Sequence, residues 1–255
     1  MELWTYQHAI TLLPALGIMI LIAVLLRHTI GKRDDKIRRI PLQILSIILL
    51  VLEVGKQVVS FTRGYDLYHI PLHFCSLFLV TMPLAAFYKG KYVQQVRAIN
   101  AAFCTAMTVL LLIYPALIYS HWNVEGFFND YLHMHTVAFH NLVMFACILQ
   151  LTLDLHVPIS TKQDLRAVAG FTFGYCVIAS VVAQILQVNF NNFYSCNIAP
   201  LEELRLSLQN VLGYGVTQLL YVLIVITLNM AFVFGSYWLY RGIHRLIAGK
   251  TPVAC

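Results

Sequence analysis

Seven stretches of about 20 apolar residues, separated by short polar connections, decide what this chain can become. They fall at about 9–30, 42–62, 70–88, 98–118, 133–153, 167–188 and 211–240. A bilayer core offers the backbone no water, so a spanning segment must close its hydrogen bonds as a helix or within a sealed barrel. No stretch alternates apolar and polar residues as barrel strands do, so helices are expected. The expected fold is an all-α polytopic membrane bundle of seven transmembrane helices, with residues 1–255 as a single domain. Charged residues make up only 11% of the chain, against about 25% in soluble domains, which leaves no room for a separate soluble unit. The seventh stretch is longer than a bilayer needs and is expected to tilt or emerge.

Lysine and arginine set the expected orientation. Arg27, Lys32, Arg33, Lys36, Arg38 and Arg39 cluster around the first connection, and Lys89, Lys91 and Arg97 around the third. Lys162 and Arg166 mark the fifth, and Arg241, Arg245 and Lys250 the tail. The alternate connections carry only Arg63 and Arg205, and Lys56 lies inside a span. This bias places the N-terminus outside and the C-terminus in the cytoplasm. It also accounts for the net charge of +6 as topology, so no nucleic-acid partner is expected. The first residues include Glu2 and no basic n-region, so the first span is expected to be retained. Six cysteines are scattered without a CxxC pair, so no disulfide framework is implied. Cys75, Cys104, Cys147 and Cys176 fall within spans, and Cys255 stands too late for a prenylation box.

The connection at residues 190–210 differs from the others. Pro200, Glu202 and Glu203 suit the first turn of a helix, and Leu201, Leu204, Leu208 and Val211 recur at helical spacing. A short interfacial helix at the outer face is expected. No internal repeat is visible, which weighs against transporter folds built from repeated halves.

Within the third span the run Ile70-Pro71-Leu72-His73-Phe74-Cys75-Ser76 interrupts the hydrocarbon pattern. Ionisable groups at membrane depth are rare and mark functional sites. With 1.5 Å of rise per residue, His73 and Cys75 lie roughly 5–8 Å below the outer end, and His140 on the order of 10 Å. Glu53, Lys56 and Gln57 lie about 8–14 Å from the same face. His133, His135 and Asn141, with Gln184 and Gln218, fall in a similar layer, while the inner halves look plain apart from Asn100 and Asn229. Five helices thus supply polar residues at one depth, which implies a polar cavity in the outer half of the bundle.

Cys75 has two readings. A thiol in a span is by default a small buried hydrophobe, whereas a thiol beside a base or a positive charge is a nucleophile. Residues two apart on a regular helix diverge, so His73 serves Cys75 only if the turn after Pro71 is irregular, and His140 is the better base. His133 and His140 share a helix face and could join Asp130 around a metal, but no HExxH spacing is present and no metal is expected. Glu53 and Lys56 at i,i+3 read either as a structural pair or as a head-group site with Lys56 holding a phosphate. Gln184 and Gln218 are as readily interhelical hydrogen-bonding residues as ligands. Pro83 and Pro115 read as kinks or helix ends. No glycine-rich phosphate loop follows a strand, and no cofactor is expected.

The string Ile70–Leu79, IPLHFCSLFL, resembles the LPLHxC signature of the YwaF-like integral membrane family, which includes animal transmembrane protein 164. The seven-helix layout is similar along nearly the whole chain, and weaker similarity surrounds His140 in HMHTVAFHN. The resemblance implies a membrane acyltransferase acting on phospholipids, with Cys75 as the acyl-accepting nucleophile and a later histidine, best matched by His140, as its partner. His133 and His135 compete for that role, and His73 stands beside the thiol. Expected partners are a phospholipid or lysophospholipid. The expected location is a bacterial cytoplasmic membrane, with the site toward the outer leaflet. Water as acceptor would make the protein a lipid hydrolase on the same residues. A small-solute transporter or channel using Glu53, Lys56 and the histidines as a proton relay is the third reading.

Overall fold

A computed structural model describes residues 4–119, 124–158 and 161–248; Glu2, Lys250 and Cys255 lie outside the described residues. Among the described residues ten α-helices follow one another: α1 (Tyr6–Ile30), α2 (Asp35–Arg38), α3 (Ile40–Thr62), α4 (Phe78–Phe87), α5 (Val93–Ile113), α6 (Val124–Asn129), α7 (Tyr131–Thr152), α8 (Thr161–Leu186), α9 (Ala199–Leu212) and α10 (Tyr214–Ala248). Seven helical segments are long and apolar enough to cross a membrane, and the described residues contain no strand. The chain is therefore an all-α, multi-pass membrane bundle.

The bundle is organised around α5, which packs against α4, α7, α8 and α10. Ala98, Ala101, Ala102 and Ala106 are fully buried along it. Burial of apolar surface drives little association in lipid, so close backbone approach over small residues supplies the packing. The helix stops at Ile113 because Pro115 follows and cannot donate to another turn. The fourth span thus ends earlier than the apolar stretch 98–118. At the periphery, α1 packs on α7 and leaves Leu13, Ile18, Leu21 and Leu25 exposed, as lipid contact requires.

The third span, Leu67–Phe87, departs most from a regular helix. Its first half is two single 3-10 turns, Leu67–His69 and Phe74–Leu77, joined by extended backbone at Ile70 and His73. Pro71 explains the break, because it lacks an N–H and disfavours helical geometry at the residue before it. Only Phe78–Phe87 is α-helical, with Pro83 inside it.

The long connection between α8 and α10 resolves into a loop and a helix. Gln187, Asn191 and Asn192 take positive φ in the loop, where asparagine is tolerated better than most residues. Phe190 and Phe193 are fully buried beneath it. A helix, α9 (Ala199–Leu212), follows this loop in the second half of the connection. It ends at Gly213, whose φ of 79° favours glycine. The seventh span then runs through α10 for 35 residues, about 52 Å at helical rise, well beyond a bilayer core.

The opposite end of the bundle, which carries most basic residues, holds its own polar network. Arg97 donates to both carboxylate oxygens of Asp35, at 3.0 and 2.8 Å, and to the Leu155 carbonyl at 3.0 Å. Tyr237 donates to Asp164 at 2.7 Å, and His156 stands 3.4 Å from the same carboxylate. These residues sit mainly in the connections and the first turns of the helices, so that end of the bundle is polar where the chain turns.

Candidate functional site

Unwound backbone at membrane depth must find its hydrogen-bond partners within the protein. In the 67–77 segment, side chains supply them. Gln57 donates to the His69 carbonyl at 2.9 Å, and His73 Nε2 donates to the Tyr68 carbonyl at 2.9 Å. Tyr175 donates to the Leu72 carbonyl at 2.9 Å. The Phe74 N–H donates to the side-chain oxygen of Asn191 at 2.9 Å, and Asn191 also donates to the Tyr175 hydroxyl. These bonds hold His73 and Cys75 on an irregular turn, so the divergence expected of a regular helix does not apply to them.

Asn191 is braced in turn. Gln184 donates to the Phe193 carbonyl at 2.7 Å, Gln218 to the Tyr194 carbonyl at 3.0 Å, and Tyr221 to the Asn192 carbonyl at 2.5 Å. Gln184 and Gln218 thus grip the loop that carries Asn191, and neither lines the cavity described next.

A cavity of about 880 Å³ opens beside the irregular turn. Its polar part is lined by Glu53, Lys56, His73, Cys75, His135 and His140. Glu53 is 8% exposed and binds three neighbours. Lys56 Nζ stands 2.8 Å from one carboxylate oxygen, Gln57 donates to that oxygen at 2.7 Å, and His135 Nε2 lies 3.3 Å from the other. Close approach of α3 and α7 makes this possible. Gly55 leaves room for the Tyr131 hydroxyl, which donates to the Leu52 carbonyl at 3.0 Å, whereas a Cβ at that glycine would overlap the phenol.

His140 Nδ1 lies 2.6 Å from the Thr136 carbonyl. A carbonyl oxygen only accepts, so Nδ1 carries the proton and Nε2 keeps its lone pair in the neutral ring. Cys75 is half-buried on the cavity wall. Among the described residues, no hydrogen bond joins its thiol to His73 or His140, although all three line one space.

The remaining candidates lie beside the cavity. Gln57 bridges Glu53, the His69 carbonyl and Tyr65. Asn141 donates to the Val137 carbonyl at 2.9 Å and does not line the cavity. Nor does His133. Asp130 accepts the Leu132 N–H at 2.8 Å as the cap of α7 and pairs with Arg63 at 3.1 Å. Those contacts, the Leu132 N–H foremost, hold its carboxyl below the usual range. Among the described residues, no group of three His, Cys, Asp or Glu side chains is placed to hold a metal.

Sequence reasoning missed Asn191 and Tyr175. A lone asparagine in a loop and a tyrosine in an apolar helix carry no local signal of their hold on a segment 117 and 103 residues away.

The fold and cavity define a multi-pass helical membrane protein with a polar pocket lined by a thiol, histidines and a buried ion pair. The family model of the TMEM164 family matches residues 3–237, and the chain belongs to that family. Neither a curated protein nor a solved structure matches it.

Proposed function

We propose that the protein transfers acyl chains between membrane lipids through a thioester on Cys75. The observation that carries this reading is that one cavity wall presents the Cys75 thiol while another presents a histidine, His140, with a fixed tautomer. In the proposed step, His140 Nε2 takes the thiol proton and Cys75 Sγ attacks the carbonyl carbon of a phospholipid ester. The ester C–O bond breaks, the lysolipid oxygen takes the proton back from His140, and an acyl thioester remains. A second lysolipid hydroxyl then gives its proton to the same nitrogen and attacks the thioester, and the Cys75 thiolate leaves and is reprotonated.

The thiol and imidazole must come within hydrogen-bond reach, and such contacts commonly tighten only when substrate binds. Lys56 lines the same cavity as a donor for the developing oxyanion or a lipid phosphate, and His73, whose Nε2 proton goes to the Tyr68 carbonyl, positions the turn beside it. The proposed orientation follows the lysine and arginine bias, with the cavity toward the outer leaflet of a bacterial cytoplasmic membrane.

Water in place of the second lysolipid would yield a fatty acid, so product analysis separates transferase from hydrolase. The buried Glu53–Lys56 pair with His135 beside it favours a second reading, a proton-coupled solute site. One experiment decides between covalent chemistry and transport. Purified protein is incubated with chain-labelled phospholipid and weighed intact. The acyl adduct is expected on the unsubstituted protein and is lost in Cys75→Ala. Normal lipid turnover by Cys75→Ala would overturn the nucleophile assignment.

A further inference from the structure

The cavity does not end at its polar wall. It continues as an apolar lobe between α9 and α10, bounded by Leu204 and Leu208 on one side and by Leu220, Ile224, Leu228 and Phe232 on the other. Leu220, Ile224 and Leu228 repeat every four residues and form one stripe on α10. The same three residues are 47%, 58% and 63% exposed at the protein surface, and they also line an adjoining hollow of about 260 Å³. The lobe is therefore open sideways, where a membrane protein of this kind meets lipid tails. On the facing side, α9 buries no residue of its own, and Leu204 and Leu208 are half-exposed there.

We propose that this lobe is an acyl-chain site that takes one chain of a membrane lipid from the bilayer through the cleft between α9 and α10. The inference deepens the lipid-ester reading and rests on it. Three features select this occupant. An amphiphile matches a space that is ionic and amide-lined at one end, with Lys56, Asn189 and Asn192, and hydrocarbon at the other. The wall from Leu220 to Phe232 spans about 18 Å at helical rise, close to the roughly 15 Å depth of one leaflet's hydrocarbon. The wall that would have to yield, α9, is tied to the bundle mainly through α10 and turns into it at Gly213, a positive-φ hinge. Bulk in the middle of the lobe, at Leu208 or Ile224, would shorten the chain it accepts, because a larger side chain would take up cavity space that the chain needs.

The test measures binding without chemistry. Cys75→Ala protein is purified and titrated with a long-chain lysophosphatidylcholine and with its short-chain homologue, read by native mass spectrometry. Ile224→Trp and Leu208→Trp are each added to narrow the lobe. Leu219→Trp, on an exposed position of α10 outside the lining, is the control. Long-chain affinity is expected to fall ~10-fold or more in the narrowed variants, with short-chain affinity and the control unchanged. Undiminished long-chain binding by both narrowed variants, or no long-chain binding by the Cys75→Ala protein, would overturn the proposal.

A photoreactive group at the chain end covers the case of a narrowed variant that does not fold. On otherwise unsubstituted protein it is expected to label the peptide around Leu228 and Phe232, and labelling confined to other helices would overturn the site. The two proposals fail separately. A protein that binds the chain but never forms a thioester keeps the lobe and loses the nucleophile, and one that forms the thioester in a lobe-blocked variant does the reverse.

Discussion

Asn191 and Phe74 are 117 residues apart in the chain, yet the side-chain oxygen of Asn191 accepts the Phe74 N–H at 2.9 Å. Through this bond the loop after α8 holds the turn that displays Cys75. Tyr175, bonded to both Asn191 and the Leu72 carbonyl, closes the same clamp. Asn191→Gly removes the hydrogen bond while keeping the positive φ of that residue available, so its effect reports the bond and not backbone strain. Leaving a buried N–H without its partner costs about 1–3 kcal/mol. A lower melting temperature is expected, with altered labelling of Cys75 by a thiol reagent. Tyr175→Phe is expected to give a similar loss, and the double variant much less than the sum, because both act on one network.

The ion pair in the cavity answers to a different rule. Removing one partner of a buried pair strands the other, which costs about 3–5 kcal/mol, whereas replacing both is often nearly neutral. Lys56→Met leaves the Glu53 carboxylate with Gln57 and His135 alone, so a loss near ~3 kcal/mol is expected. Glu53→Gln combined with Lys56→Met is expected to recover most of it. Thermal melts of the two variants and the parent check this. If the double variant binds lysolipid as well as the parent, the pair serves packing and not head-group recognition.

The seven spans were legible because apolar length is what a bilayer demands, and the Glu53–Lys56 pair was legible because i,i+3 neighbours meet on any helix. The unwound start of the third span was half-visible in Pro71, which marks a break but not what repairs it. The repair comes from Gln57, Tyr175 and Asn191, whose partners are backbone atoms and leave no pattern in the residues they touch. Gln184 and Gln218 show the same limit. Their polarity within apolar spans was readable, but their task was not, since an amide facing a cavity and one gripping a loop carbonyl look alike in sequence.

Arg97 illustrates a further limit. Counted as one of many basic residues, it speaks only of topology. In the fold it is 5% exposed and forks onto Asp35 while also holding the Leu155 carbonyl. A lysine keeps the charge but cannot reproduce the planar two-pronged contact. Arg97→Lys is expected to lose about 1.5–3 kcal/mol, the worth of a hydrogen bond to a charged group, and to lower the melting temperature without changing lysolipid binding at the far end. A change in lysolipid affinity would instead show that the two ends are coupled.

Glu202 makes the start of α9 sensitive to acid. Its carboxylate accepts from Arg205 at 2.8 and 2.6 Å and from the Cys196 N–H at 2.9 Å. The Arg205 contact, more than the backbone one, holds the carboxyl below its ordinary value of 4.5. A depressed folded-state value means that the carboxylate form stabilises the folded arrangement. That contribution is complete above the unfolded value and is lost as pH falls through the lower, folded one. Protonation of Glu202 loosens the first turn of α9 and its contact with the Cys196 N–H, while the contact of Arg205 with Gln218 on α10, at 2.9 Å, remains. Hydrogen exchange across residues 199–212 is therefore expected to accelerate as pH drops from about 5, after correction for the intrinsic pH dependence of exchange. Glu202→Gln is expected to show fast exchange in this helix at neutral pH and no further acceleration in acid. Equal protection of α9 in the parent and the variant at neutral pH would show that the carboxylate does not hold the wall of the lobe.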